Sequence, residues 1–162
     1  MTTSIEYAQM ASNAYAVKPT VHSGVNAIPI PDGWKKLGED GVNNSTGFTA
    51  RAYQNTTTKE IVIAYTGTTF EGSTLDKAKD WLFANIPAGT GVILAPQVVD
   101  AAKFYLDVLQ ANPSMSNAIS FTGHSLGGGL ASLMAAYLNR SSSLIQCSVV
   151  HRKRLMSNRG QL

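Results

Sequence analysis

The stretch Gly123-His124-Ser125-Leu126-Gly127 constrains this chain more than any other. It lies between an apolar segment, Ile119-Ser120-Phe121-Thr122, and a run of small residues, Gly127-Gly128-Gly129-Leu130-Ala131-Ser132-Leu133-Met134-Ala135-Ala136. A Gly-x-Ser-x-Gly pentapeptide is common by chance, but between a buried strand and a tightly packing helix it predicts a sharp turn with the serine at its apex. Such a turn forces the serine into a strained backbone conformation, and glycines two before and two after let the strand and helix approach. The helix N-terminus then lies beside the hydroxyl, so the Leu126 N–H points where negative charge would form on an attacked carbonyl. A donor of that kind lowers a barrier by about 3–4 kcal/mol. A phosphate-binding loop fits poorly, because no Lys-Ser/Thr follows the glycines. His124 is too close in sequence to reach back to the serine oxygen, so packing or positioning is its expected role.

The surrounding pattern supports an α/β chain. Residues 4–16 place Ile5, Ala8, Met10, Ala11, Tyr15 and Ala16 at helical spacing after Thr3 and Ser4, which suit a helix cap. Residues 18–47 are rich in Pro, Gly and Asn and read as turns around short extended pieces, with Trp34 anchoring them by burial. Phe48 to Gln54 alternate, a polar turn follows from Asn55 to Lys59, and Ile61-Val62-Ile63-Ala64-Tyr65 is apolar throughout; this predicts a hairpin leading into a central strand. Residues 97–110 carry Val98, Val99, Ala102, Phe104, Tyr105, Val108 and Leu109 largely on one helical side, ending near Asn112-Pro113. A short strand over 118–122, a helix over 126–138 and a strand within 144–150 complete a mostly parallel sheet flanked by helices.

Composition excludes several classes. Apolar residues make up 44 % and charged residues 14 %, and no apolar run approaches the length of a bilayer span, so the chain reads as one globular domain. One cysteine, Cys147, rules out an internal disulfide or a multi-cysteine metal site, and no metal or cofactor is expected. The charge is uneven: residues 1–139 hold eight Lys/Arg against ten Asp/Glu, while residues 140–162 hold five Arg/Lys and no acid. The net +3 therefore reflects a solvated basic tail, and no nucleic-acid partner is expected. The expected organisation is a domain over 1–140 and a divergent tail over 141–162. The N-terminal residues carry neither the basic nor the apolar segment of a secretory signal, which leaves the compartment open.

Two blocks in order, Ile61 to Thr68 with Asp80-Trp81 and Asn85 downstream, and Phe121 to Gly128, make the chain resemble the class 3 (fungal-type) lipases of the α/β-hydrolase superfamily and their bacterial relatives. The resemblance covers about residues 48–140. It implies that Ser125 is the nucleophile, that Thr68 supplies a second oxyanion donor through its backbone and hydroxyl, and that Phe70–Lys79 form a mobile lid. It also implies an ester substrate: a triacylglycerol, a phospholipid or a small ester, met at a lipid surface. Phe70, Leu75, Leu82 and Phe83 hint at an oily acyl chain.

Departures from that family concern the rest of the triad. Thr66 stands where the family often has Arg. The family places its catalytic Asp some tens of residues after the serine and its His further on, whereas the 37 residues after Ser125 contain no Asp or Glu, and Asp107 is the last acid. A serine needs an oriented base to take its proton, and the histidines are His22, His124 and His151. The expectation is a shortened or frame-shifted lipase-like chain with weak activity, its uncovered sheet edge favouring self-association. The alternative is a non-catalytic remnant serving as a binding or oligomerisation module.

Overall fold

The computed structural model describes residues 1–17, 28–67, 95–138 and 148–149. Helix α1, Ser4–Asn13, starts at a capping box: the Thr3 hydroxyl accepts the Glu6 N–H at 3.2 Å, and the Glu6 carboxylate accepts the Thr3 N–H at 2.7 Å. Two otherwise orphaned donors are satisfied, and a short 3-10 turn, Ala14–Val17, continues the helix.

Strands β1 (Trp34–Asn43), β2 (Phe48–Asn55) and β3 (Ile61–Tyr65) form an antiparallel meander. The turn between β2 and β3 is organised by Asn55, whose side-chain oxygen accepts the N–H groups of Thr57 and Thr58, both at 2.9 Å. Helix α2, Ala95–Ala111, leads to strand β4, Ile119–Gly123; helix α3, Leu126–Leu138, and the two-residue β5, Ser148–Val149, follow. Strand order is β1-β2-β3-β4-β5, and β4 pairs in parallel with both β3 and β5. Of the four described pairings, two are antiparallel and two parallel. The chain is α/β with a mixed sheet, parallel where the Ser125 turn sits.

Strand β3 is fully buried, as its apolar run predicts. Its alternate side chains serve two cores. Ile61, Ile63 and Tyr65 join Phe121, α2 and α3 on one face, whereas Val62 and Ala64 meet Tyr7, Met10 and Ala14 of the α1 side on the other. The Tyr65 and Phe121 rings stack with planes 7° apart and centroids 6.1 Å apart.

Two expectations are corrected. The region read as turns around short pieces contains a ten-residue strand, β1, which is polar because among the described strands it pairs with β2 alone and lies half exposed at the edge of the sheet they form. Its irregular sequence accommodates a register shift between Leu37 and Gly41, with Gly38 at a φ of 66°. In α2, Val99 lies outside the buried stripe at 52 % exposure, while Phe104 and Val108 are buried. Trp34 is buried and donates its indole N–H to Glu6 at 2.8 Å. Apart from Ser148 and Val149, the 141–162 tail lies outside the described residues.

Candidate active site

Strand β4 lies between β3 and β5 and ends at Gly123; α3 begins at Leu126, leaving two residues for the reversal. Ser125 absorbs it with a φ of 57°, in the left-handed region that costs a side-chain-bearing residue about 1–2 kcal/mol. Strain at a residue of this type is retained where the surrounding structure imposes it. Here the imposing contacts are backbone on backbone. A Cβ built on Gly123 would fall 2.8 Å from the Gly128 nitrogen, and one on Gly127 would fall 2.7 Å from the Tyr65 carbonyl carbon. Neither neighbour is a side chain that can swing away, so glycine is required at both positions.

Ser125 is exposed, as is His124, whereas Gly123 and Gly127 are buried. The first N–H groups of a helix have no intrahelical partner. In this turn Gly127 donates to the His124 carbonyl at 3.1 Å and Gly128 to the Ser125 carbonyl at 3.0 Å, and neither bond uses the Leu126 N–H. A hydroxyl on an exposed apex beside a helix N-terminal donor that has no acceptor among the described residues is an arrangement that can attack a carbonyl and hold the resulting charge.

The turn is also tied to the far side of the sheet. Tyr15, in the 3-10 turn after α1, has its hydroxyl 3.2 Å from His124 Nδ1, and the same oxygen accepts the Gly67 N–H at 3.0 Å. The two rings meet edge-on with centroids 6.0 Å apart. Burial pushes the Tyr15 phenol above its ordinary value, the Gly67 N–H opposing it in part, so the hydroxyl keeps its proton at neutral pH. One residue earlier, buried Thr66 is held by the Thr49 hydroxyl and carbonyl, the latter at 3.2 Å.

Residues 6–161 match the model of the Tle-like phospholipase domain, a phospholipase-like family. The chain belongs to that family. The Tle-like phospholipase domain shares its fold with solved lipases: Lip2 of Yarrowia lipolytica, at 19 % identity and a TM-score of 0.60 over 89 % of this chain and 55 % of that one, and the Rhizomucor miehei lipase in its propeptide complex, at 17 % identity and a TM-score of 0.59 over 90 % and 49 %. Identities this low carry the fold alone. The chain spans about half the length of these lipases. No curated protein matches it in sequence.

Within this Tle-like phospholipase domain, Ser125 and Leu126 sit together at the turn as the sequence predicts. Thr68, Phe70–Lys79, Leu82, Phe83, His22 and His151 lie outside the described residues. Gly67, the last described residue before Thr68, borders Ser125: a Cβ built on it would lie 3.5 Å from the Ser125 Cβ. The sequence gives no sign of Tyr15, whose spacing marks it only as a core position. Among the described residues, no cluster of three or more His, Cys, Asp or Glu is placed to hold a metal ion, and no helix is long and apolar enough to cross a membrane.

Proposed function

We propose that this domain is a lipase-like carboxylester hydrolase in which Ser125 is the nucleophile. The carrying observation is the exposed serine at a φ of 57° on the apex between β4 and α3. Its Oγ adds to the ester carbonyl carbon, and the carbonyl oxygen becomes an oxyanion held by the Leu126 N–H and by Thr68. A base takes the Ser125 hydroxyl proton during the attack and passes it to the departing alkoxide. Collapse of the intermediate thus expels the alcohol and leaves an acyl-serine, which water then cleaves to the free acid and the serine hydroxyl.

Membership in a phospholipase-like family supports a phospholipid over a triacylglycerol or a small ester as the substrate. The general base and its orienting acid are unassigned, since no Asp or Glu follows Ser125 in these residues. Release of p-nitrophenol from p-nitrophenyl butyrate that disappears on Ser125→Ala supports the assignment; release unchanged by that substitution overturns it. Faster fatty-acid release from phosphatidylcholine vesicles than from a tributyrin emulsion supports the phospholipid.

A further inference from the structure

We propose that the groove between the irregular middle of β1 and the C-terminal half of α2 binds a small aliphatic diamine or polyamine. The inference stands apart from the chemistry at Ser125, since no residue of the serine turn lines the groove.

The groove follows from the sheet register. Leu37 pairs with Ala52 and Gly41 with Ala50, so Gly38, Glu39 and Asp40 stand opposite Arg51 alone. Extra residues on one strand bend it away from its partner, and Gly38, with a φ of 66°, supports the bend. At Gly41 the helix comes close: a Cβ built there would fall 2.7 Å from a Phe104 ring carbon. Strand and helix thus meet at Gly41 and part over the bulge. The space between them is about 400 Å³, within the ~300–1,000 Å³ of small-molecule sites. A single side chain from a partner protein would leave much of it empty.

The lining combines two chemistries. Leu37, Phe104, Val108 and Ala111 form an apolar trough, whereas Glu39 from β1 and Asp107 from α2 bring one carboxylate from each wall. Both acids are exposed, and among the described residues neither makes an ion pair or a side-chain hydrogen bond. Asp40 also lines the groove, but its charge is already held by Arg51 and Lys36. Two unpaired carboxylates with apolar surface between them complement two ammonium groups on a methylene chain. Each ammonium meets one acid, and the chain covers the trough. A singly charged amine leaves one acid unpaired, and an alcohol leaves both.

The test is an amide chemical-shift titration of the folded chain with cadaverine and with spermidine. Saturable shifts at Gly38 and Gly41 are expected, with pentylamine binding about threefold to tenfold more weakly and pentanol not saturating. Glu39→Gln and Asp107→Asn should each weaken cadaverine by a similar factor. Ala111→Leu fills the groove from an exposed helix position and should abolish saturation. Asp32→Asn removes an exposed carboxylate outside the groove and should leave the affinity unchanged. All four positions are exposed, so the denaturation midpoint should not move in any variant.

Absence of saturable shifts in the folded chain overturns the site. Pentylamine binding as tightly as cadaverine overturns it too, as does equal weakening by Asp32→Asn. Saturation that appears only with Arg152→Gln, Lys153→Gln and Arg154→Gln combined would assign the groove to the chain's own basic residues and overturn a free ligand.

Discussion

The Gly127 backbone lies against the Tyr65 carbonyl at a separation that only a residue without a side chain allows. Helix α3 thus enters the sheet directly over the end of β3. That contact brings the helix N-terminus to the chain segment that continues into Gly67 and Thr68. The same close approach that strains Ser125 therefore assembles the site.

Gly127→Ala is expected to destabilise the fold by about 1–3 kcal/mol, because the added methyl overlaps backbone that cannot retreat. Gly129→Ala is its counterpart. Among the described residues, nothing beyond the helix's own backbone lies within 4 Å of a Cβ at Gly129, an exposed position of α3, and alanine there should stabilise by about 0.5–1 kcal/mol through helix propensity. Urea denaturation checks both; destabilisation by Gly129→Ala equal to that by Gly127→Ala would contradict the packing described.

Strain at Ser125 predicts an ordering of variants at that site. Ser125→Ala leaves a Cβ at a φ of 57°, whereas Ser125→Gly removes it. The glycine variant should be more stable than the alanine variant by up to about 1 kcal/mol, the relief being partly offset by the entropy of the unfolded chain. Matched denaturation curves read the difference directly, and an alanine variant that is the more stable of the two would contradict a strained turn.

Stability should also depend on pH through Asp40. Burial pushes its carboxyl up, but paired hydrogen bonds from Arg51, both at 2.8 Å, and the nearby Lys36 outweigh that and hold it below its ordinary value of 3.8. A carboxylate depressed in the folded state stabilises fully above its unfolded value and loses that contribution as pH falls through the folded value. Asp40→Asn is therefore expected to cost about 2 kcal/mol at pH 7 and progressively less below pH ~4. A deficit that stays constant down to pH 2 would show that charge on Asp40 is not what the pair contributes.

The sequence was legible where burial is extreme. β3 is apolar in every position because both faces are covered, and α3 is small and apolar because it presses on the sheet; each shows its environment in one short window. β1 was hidden for the opposite reason. At an edge, one side of the strand meets water, and a glycine at positive φ plus a register shift erase the alternation that would mark it. In the site, Gly123, Ser125, Leu126 and Gly127 share one local turn and could be read together. Tyr15 could not, since its partners Gly67 and His124 stand 52 and 109 positions away and only the tertiary fold brings them within hydrogen-bond reach.

Mapping a fluorophosphonate adduct on the folded chain tests the proposed chemistry most directly. The account predicts one adduct, carried by the tryptic peptide 104–140 and localised to Ser125, and lost on Ser125→Ala. A folded chain that takes up no probe, or takes it up at another residue, would contradict it.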